Sequence, residues 1–319
     1  MHPWHLAPLQ FYWEYRLINL VEKWYNASSE NPAEVAMKEF TTLKEMLDPA
    51  RREQYAVGGF NFCNAETAKV VLAESVKLRS PAMLVAAASE VQLCGMEDTV
   101  KIVRLVAEMG SVPVCLHLDH TMDVETVCRA VDAGFSSVMI DGSRFPFEKN
   151  IEMTQAVVKY AHNKGVSVEG ELGAIGENKD GQHEGTGPQS LTDPSMAAEF
   201  VERTGVDALA VSIGNAHGLY AKRPELDFEL LNAIRDQVDI PLVLHGGSGT
   251  PPDHLQRAIA LGICKVNVAS EIGKVFTDSY IETMTAGGTW WVHALQKAKD
   301  AIAPVIKKWI HYLRSEGKA

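Results

Sequence analysis

From about residue 55 the chain alternates two hydrophobic rhythms. Short, largely apolar runs recur at 55–62 (YAVGGFNF), 82–89 (AMLVAAAS), 112–118 (VPVCLHL), 136–141 (SSVMID), 166–172 (VSVEGEL), 208–213 (ALAVSI), 241–245 (PLVLH) and 265–270 (KVNVAS). Between them lie segments whose apolar residues return every three or four positions, such as AETAKVVLAESVKL, EDTVKIVRLVAEM, VETVCRAVDAG and NIEMTQAVVKYAHNKG. Strands without a polar face must be covered on both sides, which is the pattern of a parallel sheet separated by amphipathic helices. Eight such units in succession predict an α/β fold, a closed (β/α)8 TIM barrel. An open doubly wound sheet would collect its ligand-binding residues at one switch point. Here polar residues gather at the C-terminal ends of nearly every strand.

Three stretches break the rhythm. Residues 1–40 precede the first strand and read as an N-terminal extension, with WEYRLINLVEKWYN as a helix and SSENPAEVAMKEF as a linker. Residues 173–192 (GAIGENKDGQHEGTGPQSLT) hold five glycines after the fifth strand, which predicts a mobile loop on the catalytic face. Residues 286–319 read as a C-terminal helical segment packed on a barrel of residues 41–285, with a kink expected near Pro304.

Charge narrows the partners. With 30 basic against 41 acidic residues the net charge is −11, which argues against a nucleic-acid footprint. An anionic substrate stays admissible, because helix N-termini, backbone amides and a metal bind phosphate without net positive charge. No apolar stretch approaches the roughly 18 residues that span a membrane. The five cysteines include no CxxC pair and read as buried thiols in a reducing compartment; the N-terminus lacks the apolar core of a secretory signal. The expected location is cytoplasmic.

The chemistry sits at the strand ends. His120 in VPVCLHLDH, His217 in ALAVSIGNAHG and His245 in PLVLHGGSG each close or follow an apolar run. Three imidazoles delivered to one barrel mouth make a metal site with a fourth position open. Asp119 beside His120 offers a proton-transfer group next to a ligand, while His117, two residues earlier, reads as a buried structural histidine. Glu169 and Glu171 share one strand face, where buried carboxylates need a cation or its histidine shell; Asp141 ends another strand and can orient an imidazole. HGGSG (245–249) and NVAS (267–270) on the last two strands bring Gly246, Gly247, Ser248 and Ser270 to the position where many barrels bind phosphate.

Together these segments resemble the class II, zinc-dependent fructose- and tagatose-bisphosphate aldolases. The likeness runs from about residue 42 to 280 through YAVGGFNFCNAE, LHLDH, AGFSSVMIDGS, YAHNKGVSVEGELG, TGVDALAVSIGNAHGLY, VLHGGSG and ALGICKVNVAS. By resemblance, His120, His217 and His245 hold a catalytic zinc ion, with Glu171 as an additional or alternative metal contact and Asp141 and Glu169 behind them. A second divalent ion and a monovalent cation are further expectations of the resemblance. Asp119 takes the family's acid/base role, and Asn267 helps to hold the enediolate. Gly218, Gly246, Ser248 and Ser270 cradle the C1 phosphate of a phosphorylated ketose, and Asn61 and Ser89 line the dihydroxyacetone-phosphate side. A metal then replaces the Schiff-base lysine of other aldolases; Lys265 is the only lysine within an expected strand. Homodimers or homotetramers are implied. The first 36 residues have no counterpart, and read as a start placed upstream of Met37 or as an added oligomer contact.

Three departures concern the aldehyde half of the substrate. The loop reads Glu177-Asn178-Lys179-Asp180, with lysine where the family carries an acid; Glu177, Asp180, His183 and Glu184 are the available substitutes. The segment TAGGTWWVHALQKA contains no arginine, where the family supplies one for the second phosphate. Ala87 replaces the family's glutamine. The reading is therefore reversible cleavage of a ketose (bis)phosphate to dihydroxyacetone phosphate and an aldehyde such as glyceraldehyde 3-phosphate. The alternatives are a ketose 1-phosphate aldolase with an unphosphorylated aldehyde, a non-catalytic barrel subunit stabilising a partner aldolase, and a metal-dependent hydrolase in which Asn267 would be idle.

Overall fold

The apolar runs pair side by side, all parallel, and close on themselves. The computed structural model describes residues 39–177 and 189–319. The first elements are α1 (Leu43–Glu53), β1 (Val57–Asn61), α2 (Ala65–Lys77), β2 (Ala82–Ala87), α3 (Ala88–Cys94), α4 (Met96–Ala107) and β3 (Val114–Thr121). Next come α5 (Val124–Ala133), β4 (Ser137–Ile140), α6 (Phe147–His162), β5 (Ser167–Leu172), β6 (Gly176–Glu177), α7 (Pro194–Thr204), β7 (Ala208–Val211) and β8 (Ala216–His217). The chain ends with α8 (Phe228–Arg235), β9 (Leu242–Leu244), α9 (Pro252–Ala260), β10 (Ile263–Val268), α10 (Ser270–Thr285) and α11 (Trp291–Tyr312). Around the closed barrel the order is β1-β10-β9-β7-β5-β4-β3-β2, which makes the fold a (β/α)8 barrel; β6 and β8 pair separately.

Strand residues alternate between the lumen and the helical coat. Along β3, Leu116 and Leu118 join the large apolar layer beneath the helices, whereas Cys115 belongs to the lumen. The lower lumen is apolar: Val57, Met83, Cys115, Met139, Ala208, Val243 and Cys264 pack with Leu43, Met46, Leu47 and Ala50 of α1. Thr41 bonds to the start of β3 and Lys44 to Ser167 at the start of β5, so α1 closes the N-terminal end. Its N-terminus is set by a capping box between Thr42 and Glu45.

Above that layer the same parity turns polar. The register sets His117 between Val85 and Ser137, Glu169 between Met139 and Ala208, and Lys265 between Val243 and Val57. One further pleat up stand Asp119, Glu171 and Asn267. The chemical end of the barrel is thus the C-terminal end, where this fold carries its sites.

The C-terminal helix α11 remains helical through Pro304. Its Ile302, Ile306 and Ile310 join the outer apolar layer, and the buried Trp309 donates its indole N–H to Glu271 of α10 at 2.7 Å. Among the described residues no helix is long and apolar enough to cross a membrane. The expected helix WEYRLINLVEKWYN and the central loop residues 178–188 lie outside the described residues.

Candidate active site

Asp119 and His120 are neighbours on a strand, so regular geometry would send them to opposite faces. The backbone resolves this: His120 adopts φ +33°, and the register with β4 slips between Leu118 and Thr121. A non-glycine residue in the left-handed region costs on the order of 1–3 kcal/mol, and such strain concentrates at functional sites. Both side chains consequently line one cleft.

The cleft brings the three histidines together. Ring centroids lie 4.6 Å apart for His120 and His217, 4.4 Å for His120 and His245, and 5.9 Å for His217 and His245. Each offers a nitrogen within 4.8 Å of the others. Carboxylates hold two of the rings from behind: Asp141 Oδ2 lies 3.2 Å from His120 Nδ1, and Glu169 Oε1 lies 2.8 Å from His245 Nε2. Such bonds fix ring orientation and leave the opposite nitrogen to face a metal. Glu171 shares a second donor group with His120 and Asp141.

The atoms facing that space fit a cation. His120 Nε2, Asp119 Oδ1 and Glu171 Oε2 are buried without a hydrogen-bond partner, a costly state for polar atoms. Burial works against protonation of His120, yet Asp119, Asp141 and Glu171 outweigh it and lift the imidazole to about 10. Burial likewise opposes ionisation of Asp119, but the positive charge of His120 beside it holds its carboxyl well below the usual carboxylate range. Glu171 is pushed well above its ordinary value by burial and by the charge of Asp141. A three-nitrogen donor set with buried carboxylates beside it suits zinc.

The rest of the predicted set divides. Asn61, Ser89, Gly218, Gly246, Ser248, Asn267 and Ser270 all line the cleft. Asn267 Nδ2 donates to Asp119 Oδ2 at 2.9 Å and lies 3.3 Å from His245 Nδ1, and a Cβ on Gly59 would stand 2.7 Å from its amide oxygen. Gly246, at φ +65°, passes so close to Ala216 that a Cβ would meet its carbonyl at 2.1 Å. Gly247 departs from the expectation of a phosphate contact. It does not line the cleft, and its N–H is spent on the Asn267 carbonyl at 3.0 Å.

Local structure also differs from the expected runs. The second strand stops at Ala87, so Ser89 stands in the first turn of α3 rather than at a strand end. The strand before His217 ends at Val211, and His217 lies on β8, paired with β6 instead of the barrel. Glu90 and Ala269 line the cleft without having been predicted; Glu90 accepts from Ser89 at 2.8 Å. Tyr220, at the end of the segment that carries His217, accepts from Ala216 N–H at 2.9 Å through its hydroxyl and donates to the Gly246 carbonyl at 3.1 Å. Spacing alone carries no signal for these, because their positions depend on where β2 gives way to α3 and on the course of the loop after His217. Lys179, Asp180, His183 and Glu184 lie outside the described residues.

Comparison with known proteins gives a consistent result. The family profile described as fructose-bisphosphate aldolase class-II matches residues 41–318. The D-tagatose-1,6-bisphosphate aldolase subunit GatY of Klebsiella oxytoca is 42% identical over 278 residues, covering 86% of this chain and 98% of that protein. The crystal structure of the YdjI aldolase from Escherichia coli K12 superposes with a TM-score of 0.78 at 33% identity, covering 88% of this chain and 99% of that one. The fructose-bisphosphate aldolase of Campylobacter jejuni shares the fold, with a TM-score of 0.74 at 22% identity over 88% of this chain and 97% of that one.

Proposed function

The chain belongs to the class II fructose-bisphosphate aldolase family, carbon–carbon lyases, and we propose that its site reversibly cleaves a ketose phosphate into dihydroxyacetone phosphate and an aldehyde. The observation that carries this is the convergence of three histidines on one cleft with Asp119 and Asn267 at their edge. Zinc, when bound by His120, His217 and His245, supplies a Lewis acid for the C2 carbonyl. Asp119 takes the proton from the C4 hydroxyl. The C4 carbonyl forms as the C3–C4 bond breaks, and the electron pair is left on the dihydroxyacetone-phosphate half as an enediolate. Asn267 presents its amide beside Asp119 and His245, a position suited to holding that enediolate. Gly218, Gly246, Ser248 and Ser270 receive the C1 phosphate, with Ser270 opening α10 so that helix N–H groups add to the cradle. Asn61 and Ser89 line the same half.

The substrate is a ketose bisphosphate or a ketose 1-phosphate. The second is favoured by the arginine-free segment 285–298, by Lys179 in the loop and by Ala87 in place of the family's glutamine. A monovalent cation beside the phosphate, a cytoplasmic location and a homodimer or homotetramer complete the proposal. A non-catalytic subunit is disfavoured by the intact donor set. Metal analysis with a coupled assay for dihydroxyacetone phosphate tests the metal and the reaction, using fructose and tagatose 1,6-bisphosphates and fructose 1-phosphate. Protein carrying one zinc per chain that releases no dihydroxyacetone phosphate from any of them refutes the proposal.

A further inference from the structure

Below the three histidines lies another group of metal-type donors. His117, Asp119 and Glu169 offer ligand atoms within 4.8 Å of one another, all buried. This group already contains a cation. Lys265, fully buried on β10, donates to Glu169 Oε2 at 2.7 Å, and its Nζ lies 3.3 Å from His117 Nε2. It does not line the substrate cleft, which sets it apart from a Schiff-base lysine. A buried ammonium in a sheet is retained only where anionic and hydrogen-bonding partners offset its desolvation.

We infer that Lys265 is a positioning residue that sets both the metal ligand His245 and the acid/base Asp119. One arm runs through Glu169. Lys265 holds Oε2, which directs Oε1 to His245 Nε2 at 2.8 Å and leaves Nδ1 of that ring facing the cleft. The other arm runs through His117, whose Nδ1 shares a 2.7 Å hydrogen bond with Ser137. Because Nε2 accepts from Lys265, the ring keeps its proton on Nδ1. It therefore has none to donate to Asp119 Oδ1, 3.5 Å away, and that oxygen stays uncommitted. Without the ammonium, His117 is free to move its proton to Nε2 and engage Asp119, while the Glu169 carboxylate loses the partner that orients it.

This inference rests on the zinc-site reading, and the experiment separates the two. Metal-free native protein, His217→Ala, Lys265→Met, Glu169→Gln and the double variant E169Q/K265M are titrated with zinc against a chromophoric chelator, and kcat and KM are measured on a ketose phosphate. Lys265→Met is expected to weaken zinc binding by roughly 10–100-fold, the usual effect of removing an outer-shell partner. It should also lower kcat while KM stays within about threefold, since the phosphate cradle is untouched. Glu169→Gln should reproduce the loss of zinc affinity, and the double variant should bind no more weakly than the worse single one. If the native protein binds no zinc, both readings fall. If it binds zinc and His217→Ala loses it, while Lys265→Met keeps native affinity and kcat, only this inference falls; additive losses in the double variant also overturn it. Should Lys265→Met not fold, the double variant leaves no orphaned charge and carries the same test.

Discussion

Asp119, His120, His245 and Asn267 stand on or directly after barrel strands, whereas His217 and Gly218 stand on a loop that leaves the barrel at Val211. The strand-borne half is bonded inward: His245 to Glu169, Glu169 to Lys265, Asn267 to Asp119. The loop-borne half is held by the two-residue pairing of β6 with β8, by the hydroxyl of Tyr220, and by the buried Asn215, whose Nδ2 donates to the His245 carbonyl at 3.0 Å. The strand-borne side chains are therefore part of the barrel's packed interior, while His217 itself, only half-buried on its loop, can be altered at small cost to stability. The family departures fall on both sides of this division: Ala87 ends β2 and lines the cleft, whereas the arginine-free segment lies outside the barrel strands.

The largest expected effect falls on the strand half. Asp119→Ala removes the proposed acid/base and should lower kcat by roughly 10²–10⁴-fold. Zinc stoichiometry should stay unchanged; turnover within tenfold of native would refute the role. The two halves then separate on paired histidine variants. His245→Ala leaves Glu169 Oε1 without its partner in a fully buried site and should cost about 3 kcal/mol in the metal-free protein. His217→Ala, half-buried on its loop, should cost less than about 1 kcal/mol. Both should lose zinc. Urea denaturation with chelator present measures the difference, and equal losses would erase the distinction.

Acid titration sharpens the same contrast. Burial alone would raise the carboxyl of Glu169, but Lys265 and the bond to His245 hold it down to about 2, against an ordinary 4.5. A depressed folded-state pKa contributes stability that is fully present above the unfolded value and is lost as pH falls through the folded one. The metal-free protein should therefore lose about 3 kcal/mol from this group between pH 4.5 and pH 2. Glu169→Gln should lack that component. A variant whose stability falls as steeply as the native protein's over this range would show that the pair contributes nothing.

The barrel was legible because strands without a polar face need cover on both sides and polar residues close nearly every one of them, and the cluster at 120, 217 and 245 because each histidine ends or follows an apolar run. His120 facing the same cleft as Asp119 was not legible: it depends on one residue at φ +33°. Nor was the course of Gly247 legible: its place in HGGSG resembles that of its neighbours, while its N–H donates to the Asn267 carbonyl. Lys265 was legible only as an oddity, a charge within an apolar strand. Its meaning needed the register that sets it across the lumen from Glu169 and His117. Sequence pattern carries parity along a strand, but not which strand faces which across a closed barrel.

The smallest effect tests one of the links between the halves. Tyr220 joins the loop that carries His217 to the turn after His245, through Ala216 N–H and the Gly246 carbonyl. Tyr220→Phe keeps the ring and removes both bonds. Ala216 is partly buried and Gly246 buried, so water reaches one of the two groups freed, and the expected destabilisation is about 1 kcal/mol. The functional consequence should exceed that figure's share of stability. Gly246 has no room to shift toward Ala216, so freeing the Ala216 segment moves His217 and Gly218 relative to the strand-borne ligands. Zinc affinity and the KM for a ketose phosphate should both worsen, while the acid-induced loss attributed to Glu169 stays as in the native protein. If Tyr220→Phe instead altered the acid transition and left KM unchanged, the halves would be coupled through the barrel lumen rather than through this hydroxyl.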